Sequence, residues 1–377
     1  MNRLCLITRN FPPLKGGMER LNQRLHQLLV KHYEVVLYGP KACDEFVEGH
    51  KAIGSRVSPT MIFILLSFIR ALAGSVFSKR FNFYVGGSGL VAPIVVVLAK
   101  LFGARAVILI HGLDIIVESK IYRYCFLPFI RAADLLVCNS DNTARLAIEH
   151  GADAERVTIV LPGAEITASN LTKEEAKKEV GAGEKTVLLS VGRLIPRKGL
   201  AEFIDNSLPS LVSEDPSLEF WIAGTEPERA LNKNEFSVSK DIQRAIQRRS
   251  LNAHVKLLGS VSEERLELLY AAADVFVFPL REIHGDVEGF GMVAVEAAGY
   301  GTPTVAFDCG GVKDAVRHNE TGLLVEAGDY AAFTKAVQRA LGGFEAEKII
   351  EFSKGFSWQR YGFEFRQQLE KFVENEL

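Results

Sequence analysis

The feature that most constrains this chain is a rhythm of strand-length apolar runs alternating with helical patterns, which restarts near residue 185. Uninterrupted apolar runs of this kind are typical of parallel strands buried on both faces of a sheet. The first series comprises 4–8, 34–39, 83–87, 106–112, 135–140 and 157–163; the second comprises 186–192, 218–224, 254–260, 275–280, 302–307 and 321–326. Two series predict an α/β protein with two doubly wound, Rossmann-like domains that face each other across a cleft.

The chain length supports the same division, because 377 residues exceed what one hydrophobic core usually holds. We predict an N-terminal domain over 1–165, a polar linker over 166–184 and a C-terminal domain over 185–355. The remaining residues, 356–377, are predicted to form a helix that packs back on the N-terminal domain.

Charge is distributed unevenly along the chain. The net charge is −2, which does not favour a nucleic-acid partner. Residues 1–170 hold 19 Lys and Arg against 13 Asp and Glu, a net +6, so the remainder carries −8. A basic N-terminal half suggests that this half meets something anionic.

The five cysteines are odd in number and scattered, with no pair at metal-binding or redox spacing. This pattern favours reduced, buried thiols in a cytoplasmic protein and argues against disulfides and structural zinc. The cysteines therefore give no indication of a metal site or a cofactor.

Three loops that follow predicted strands carry candidate binding residues. In VGRLIPRKG, Arg193 and Lys198 precede a helix, an arrangement that suits a diphosphate, although a solvated basic loop is the alternative. In FPPLKGGMER, Gly16 and Gly17 allow an anion to approach a helix start, or form a plain turn. In LIHGLD, His111 stands at a strand end, where it could act on a ligand or serve as a structural hydrogen-bonding group.

The segment REIHGDVEGFGMVAVEAAGYG is the most informative one. It predicts a strand, a glycine-rich loop that carries Glu288, and a helix that ends at Gly299 or Gly301. Glu296 falls about two turns inside that helix among Ala and Val, so its carboxylate needs a partner, and a ligand hydroxyl is one candidate. For Glu288 the alternative is a first-turn acid favoured by the helix dipole.

Together these motifs resemble the retaining glycosyltransferases of family four, which have the two-domain GT-B fold. The resemblance extends over nearly the whole chain, through HGLD, VGRLIPRKG, EGFGMVAVEAAGYGTP and GTPTVAFDCGGVKDAV. The long loop REIHGDVEGFG is similar to the phosphatidylinositol mannosyltransferase branch, whose donor is GDP-mannose.

The resemblance implies a role for each candidate. Cations matching Arg193 and Lys198 hold the donor diphosphate and stabilise the leaving group. Glutamates matching Glu296 and Glu288 bind the ribose and the transferred sugar, and a histidine matching His111 lies near the reacting centre. The family's glycine-rich loops imply further donor contacts through Gly16, Gly17, Gly289, Phe290 and Gly291, with Asp114 as a weaker acceptor contact. Such enzymes need no metal and transfer the sugar with retention.

The function expected from the resemblance is hexose transfer from a nucleotide sugar, GDP-mannose or a UDP-hexose, to a lipid-linked glycan or glycolipid in polysaccharide or lipopolysaccharide synthesis. A small soluble acceptor and a non-catalytic sugar-nucleotide-binding protein are the alternatives. The apolar segment 61–81 and the aromatic and basic segment 120–134 suggest peripheral binding to the anionic inner face of the plasma membrane. The alternative is that both simply pack on the N-terminal sheet.

Overall fold

The structure is a computed structural model that describes residues 2–166, 171–226 and 237–374. It divides into two compact units, Met1–Gly163 with Trp358–Leu377, and Ala164–Ser357. Each predicted strand series falls within one of these units, and we describe the units separately.

The first unit contains, in its described residues, seven parallel strands: β1 Arg3–Ile7, β2 Glu34–Pro40, β3 Lys51–Ser55, β4 Phe83–Gly86, β5 Arg105–Ile110, β6 Leu135–Cys138 and β7 Val157–Ile159. They form one sheet in the order β3-β2-β1-β4-β5-β6-β7. The helices that precede β7 are α1 Gly17–Leu29, α2 Thr60–Phe77, α3 Ala92–Phe102, α4 Leu113–Ile116, α5 Lys120–Cys125, α6 Leu127–Arg131 and α7 Asp141–Glu149. Strand order reverses between β1 and β4, which makes the carboxyl ends of these two strands the expected ligand-binding point.

The strand β3 is not predicted by the sequence. Its residues, KAIGS, lack an apolar run, and it pairs only with β2 at the edge of the sheet. An edge strand is covered on fewer sides, so it does not need the apolar pattern that identifies the inner strands. By contrast, every residue of β1 and β4 is buried.

The second unit has six parallel strands in its described residues: β8 Val187–Val191, β9 Glu219–Ala223, β10 Val255–Gly259, β11 Val275–Phe278, β12 Thr304–Phe307 and β13 Gly322–Val325. Their order is β10-β9-β8-β11-β12-β13, so the order reverses between β8 and β11. The helices are α8 Lys173–Val180, α9 Leu200–Asn206, α10 Leu208–Glu214, α11 Val238–Arg248, α12 Glu263–Ala272, α13 Met292–Gly299, α14 Tyr330–Leu341 and α15 Ala346–Lys354. All twelve predicted strands are therefore present, and two parallel-sheet, Rossmann-like folds are confirmed.

The segment 166–184, predicted as a linker, belongs to the second unit where it is described; its residues 167–170 lie outside the described residues. Its second half forms α8, which a reciprocal capping box between Thr172 and Glu175 begins and a left-handed Gly181 ends. The helix packs against α12. Its charge-rich sequence suggests an exposed connector, but Ala176 and Val180 are buried, and this narrow apolar stripe is enough to hold it on the unit.

The C-terminal helix, α16, covers Trp358–Glu374 and belongs to the first unit. It packs against α1, with Gly362 directly over Leu28. At its start, the Trp358 ring lies so close to Gly163 that a Cβ at Gly163 would lie 2.6 Å from a ring carbon. The predicted range extends to 377, and residues 375–377 lie outside the described ones.

Helix α2 is long and apolar enough to cross a membrane by length and composition, and it is the single such helix found in the described residues. A soluble protein's core helix can pass the same test. Here α2 lies on the first unit's sheet, against β2 and β3, and also packs on α3.

Candidate active site

In the second unit, a glycine allows the loop after β8 to lie directly against the end of β11. Gly199 has φ 63°, and a Cβ there would overlap the carbonyl oxygen of Pro279. Any other residue would push the two loops apart. Glycine at this position therefore brings Lys198, its neighbour, next to the loop that follows β11.

That second loop, residues 279–291, folds back on itself before α13 begins. A left-handed Gly285 turns the chain between Ile283 and Asp286, which form an isolated antiparallel bridge. The carbonyl of Glu288 accepts a hydrogen bond from the amide of Gly311, 2.9 Å away. Gly291, with φ 98°, then starts α13. Glu288 is thus fixed on the loop just ahead of the helix, as predicted.

Four charged side chains form a partly buried cluster at this point. Lys198 Nζ lies 2.8 Å from Glu288 Oε2, and an Arg197 guanidinium nitrogen, Nη1, donates to the same oxygen. On its other side, Arg197 Nε lies 3.1 Å from Asp286 Oδ1. The Lys198 ammonium also lies 4.4 Å from the centre of the Phe278 ring, a cation–π distance. We call Arg197, Lys198, Asp286 and Glu288 the ion cluster.

The ion cluster keeps the carboxylate of Glu288 charged although this carboxylate is partly buried. Burial by itself would raise the pKa of Glu288, but Lys198 and Arg197 outweigh it and lower that pKa to about 2. Burial also lowers the pKa of Lys198; Glu288 opposes this effect, and the neighbouring charges of Arg197 and Arg193 reinforce it. A diphosphate beside Lys198 and the exposed Arg193 would replace repulsion between cations with attraction.

Glu296 lies inside α13 with 4% of its surface exposed. Its Oε2 accepts a hydrogen bond of 2.9 Å from the hydroxyl of Tyr270 on α12. Tyr270 in turn stacks on Tyr300, with ring centres 5.9 Å apart. The predicted need for a partner is met in part by a tyrosine that sequence reasoning did not identify.

The glycine motif between the two glutamates has an apolar centre. Phe290 is buried, with its ring 5.8 Å from that of Phe356. Its side chain therefore anchors the loop in the unit's core, which leaves the backbone of Gly289, Phe290 and Gly291 as the part suited to a ligand.

In the first unit, Gly16 and Gly17 are exposed and lie at the start of α1. The first turn already holds an acid, because Glu19 Oε1 accepts a hydrogen bond of 2.8 Å from the side-chain amide of Asn10. The carboxylate of Glu19 also lies against Gly16. This helix start therefore carries a negative charge of its own.

His111 and Asp114 follow β5 and are held by backbone contacts. Asp114 Oδ2 accepts from the amide of His111 at 3.0 Å, and its Oδ1 accepts from the amide of Gly89 at 3.2 Å. His111 Nε2 lies 3.0 Å from the carbonyl of Gly87, so we assign the proton to Nε2 and leave Nδ1 as an acceptor. Asp114 thus ties the ends of β4 and β5 together; its predicted contact with the acceptor stays a prediction.

The structure brings together Lys198 and Glu288, places Arg193 beside them and sets Glu296 on the following helix. Sequence reasoning missed Arg197, Asp286 and Tyr270 as members of the site. The adjacency of Arg197 to Lys198 was visible, but no sequence pattern tells which way a side chain on an irregular loop points. Among the described residues, no group of three His, Cys, Asp or Glu could hold a metal ion.

Comparisons with known proteins also indicate a glycosyltransferase. The model for Glycosyltransferase Family 4 matches residues 15–167, and that for Glycosyl transferases group 1 matches residues 172–353. The chain is 27% identical over 367 residues to a GDP-mannose-dependent alpha-(1-6)-phosphatidylinositol monomannoside mannosyltransferase of Mycolicibacterium smegmatis, covering 89% of this chain and 88% of the relative. It is 30% identical to a D-inositol 3-phosphate glycosyltransferase of Corynebacterium efficiens, over 64% of this chain and 57% of the relative.

Solved structures agree in fold. HepE of Anabaena, in complex with UDP and glucose, has a TM-score of 0.79 at 17% identity and matches over 98% of this chain and all of its own. Sucrose-phosphate synthase from Thermosynechococcus elongatus has a TM-score of 0.79 at 19% identity and matches over the full length of both chains. The two family models, which together span both units, show that the chain belongs to the family-four glycosyltransferases with the GT-B fold.

Proposed function

We propose that this glycosyltransferase moves a hexose, with retention, from GDP-mannose or a UDP-hexose to a lipid-linked glycan or glycolipid in cell-surface polysaccharide or lipopolysaccharide synthesis. The observation that carries the proposal is the ion cluster at the strand-order reversal of the second unit, with Arg193 exposed beside it. A relative that matches 89% of this chain is GDP-mannose-dependent, whereas HepE was solved with UDP, so we retain both GDP-mannose and a UDP-hexose as donors.

In the proposed reaction, the bond between the sugar's C1 and the phosphate oxygen breaks and a bond from C1 to the acceptor oxygen forms on the same face. The acceptor's proton passes to the departing phosphate oxygen. Arg193 and Lys198 offset the charge that develops on the diphosphate, which is the usual main contribution in such sites. Glu288 is assigned to the sugar and Glu296 to the ribose. Because these cations supply the charge, we propose that turnover needs no metal ion.

The test is a donor screen with the intact chain. Thermal-shift measurements against GDP-mannose, UDP-glucose and UDP-galactose identify the base and sugar, because a bound donor raises the melting temperature. Release of nucleoside diphosphate is then measured with membrane lipid extract as the acceptor source. Stabilisation by one donor and lipid-dependent release support the proposal. If no nucleotide sugar stabilises the chain or releases nucleotide, the proposed function is wrong.

The proposal of a lipid-linked acceptor depends on the side chains that α2 exposes. Its buried residues are Phe63, Ser67, Ala71 and Ser75, three of them small, and its exposed residues other than Arg70 and Ala73 are large and apolar. These exposed side chains are Met61, Ile62, Leu65, Ile69, Val76 and Phe77. A helix that exposes this many large apolar side chains needs a partner.

Cations flank this apolar face, and the partner that suits both features is an anionic bilayer. Arg56, Lys79 and Arg80 are exposed just before and after α2. Arg80 also donates to the carbonyl of Gly103 at 2.5 Å, which brings the end of α2 to the end of α3, where Leu101 is exposed. We therefore place the protein at the inner face of the plasma membrane, within reach of a lipid-linked acceptor.

Vesicle flotation tests this placement. The chain should float with vesicles that contain phosphatidylglycerol at low salt, less at high salt, and less with neutral vesicles. Ile69→Glu should reduce flotation, whereas Leu257→Glu, which changes an exposed apolar residue of the second unit, should not. Equal flotation of both variants would contradict the assignment of α2, and no flotation of the wild type would contradict the membrane claim.

A further inference from the structure

The ion cluster raises a question about the proposed function. Lys198 is assigned to the donor's diphosphate, yet in this structure its ammonium contacts Glu288, 2.8 Å away. If Lys198 turns to a phosphate, Glu288 loses that partner. A carboxylate with 15% of its side chain exposed is costly to leave unpaired.

Arg197 is placed to prevent this. It contacts the same oxygen of Glu288 as Lys198 does, and its side chain is 9% exposed. We propose that Arg197 is a positioning residue that holds Glu288 when Lys198 exchanges its contact from that carboxylate to the donor's diphosphate. This inference rests on the proposed function and deepens it.

Arg197 is anchored in a way that Lys198 is not. Its Nε is held by Asp286 at 3.1 Å, and its backbone carbonyl accepts from the amide of Arg281 at 2.8 Å. A planar guanidinium fixed by two carboxylates keeps one orientation, whereas an ammonium on a four-carbon stem can turn between two anions. The geometry therefore separates a fixed cation from an exchangeable one.

The pairing of charges changes when the donor binds. Without a donor, Arg197 and Lys198 offset Asp286 and Glu288. With the diphosphate bound, Lys198 and Arg193 face its negative charges, and Arg197 remains paired with both Glu288 and Asp286. Cys309 also lies near the ion cluster. Burial and the nearby acids Glu282, Asp308 and Glu288, opposed by Arg197, raise its pKa to about 11, so its thiol stays neutral.

The exchange of Lys198 from Glu288 to the diphosphate predicts a change in nucleotide affinity that can be measured without turnover. In Arg197→Met, release of Lys198 would leave Glu288 alone, so binding must be coupled to proton uptake by that carboxylate. We expect the affinity for GDP or UDP at pH 8 to fall by between about 5- and 150-fold, the usual range for coupled sites. The affinity should recover as the pH is lowered, and calorimetry in buffers of different ionisation enthalpy should show net proton uptake.

A double substitution distinguishes this exchange from direct binding of phosphate by Arg197. In Arg197→Met with Glu288→Gln, the carboxylate that needed a partner is gone, so affinity at pH 8 should return toward the wild-type value. If affinity stays low, Arg197 binds phosphate itself and the proposal is wrong. Wild-type affinity in Arg197→Met would also overturn it. Arg248→Met, which removes an exposed ion pair with Asp205, is the matched control and should bind as the wild type does.

Glu288→Gln alone keeps the proposal testable if Arg197→Met does not fold. Removing the competing carboxylate frees Lys198, so GDP or UDP should bind more tightly than to the wild type at pH 7. Equal or weaker binding would contradict the exchange. Should wild-type protein bind neither nucleotide, the proposed function itself fails, an outcome distinct from any of these variant results.

Discussion

The carboxyl ends of the two sheets occupy equivalent places in two similar folds and differ in chemistry. In the second unit the loops after β8 and β11 meet through four charged side chains, with Lys198 and Glu288 in direct contact. In the first unit the loops after β4 and β5 meet through Asp114 and backbone amides, and His111 bonds a carbonyl. Arg193 and Lys198 in the second unit suit a diphosphate, and the hydrogen-bonding site of the first unit suits a hydroxyl-bearing acceptor.

The comparison also separates the charge of a domain from the charge of its site. The basic residues predominate over 1–170, yet the cations of the site, Arg193, Arg197 and Lys198, lie in the more acidic remainder of the chain. Net charge reports the surface that a bilayer or solvent meets. It does not report which loops hold a ligand's phosphates.

The largest effect on turnover should come from a substitution in the ion cluster of the second unit. Glu288→Gln should lower the donor-dependent release of nucleotide by about 100- to 1000-fold, the usual loss when an electrostatic contact to the reacting group is removed. Glu219→Gln is a matched control, since Glu219 is also buried and paired with two lysines, Lys185 and Lys256. It lies at the amino end of β9, away from the ligand-binding ends, so its turnover should match the wild type. Equal losses in both variants would contradict the site.

A smaller effect is expected in the first unit. His111→Ala removes one hydrogen-bonding ring, so kcat should fall about tenfold, in line with the loss of one contact. The affinity for GDP or UDP should not change, because the nucleotide is assigned to the other unit. Steady-state kinetics and calorimetry on the same preparation check both parts. A loss of nucleotide affinity would remove the distinction between the units.

The two units should also differ in how acid destabilises them. Burial, with help from His50, lowers the pKa of His26 to about 4, below its usual value of about 6.5. His26 is thus neutral when folded, and the stability of the first unit should fall by up to about 3 kcal/mol as pH drops from about 6.5 to 4. Glu288, with a pKa of about 2, contributes stability above about 4.3 that is lost as pH falls toward 2.

Urea denaturation across these two pH windows separates the contributions. His26→Gln should flatten the upper window and leave the lower one unchanged, whereas Glu288→Gln should do the reverse. A variant that alters both windows equally would show that the two groups do not titrate independently.

The smallest expected effect is that of chelation. With EDTA present, release of nucleotide should stay within the error of the untreated rate, because Arg193 and Lys198 meet the charge of the leaving group. A rate that falls with EDTA and returns with added magnesium would contradict the proposed metal independence.

The strands and the main site residues could be predicted from the sequence because buried parallel strands and glycine-rich loops leave direct patterns. Strand β3 could not, since its sequence, KAIGS, lacks an apolar run. Nor could the role of Arg197, because its two partners lie about 90 residues away, at Asp286 and Glu288. The sequence also did not show which apolar side chains of α2 are exposed, since a uniformly apolar helix does not reveal which side packs on the sheet.

The central claim is that the ion cluster of the second unit binds the donor's diphosphate through Lys198. Calorimetric titration of GDP and UDP into the wild type, Lys198→Ala and Lys348→Ala tests it most directly, since Lys348 is an exposed lysine paired with Glu345. One of the two nucleotides should bind the wild type and Lys348→Ala equally, and Lys198→Ala at least about tenfold more weakly, the loss expected for one charge-assisted contact. Unchanged binding by Lys198→Ala would contradict the account.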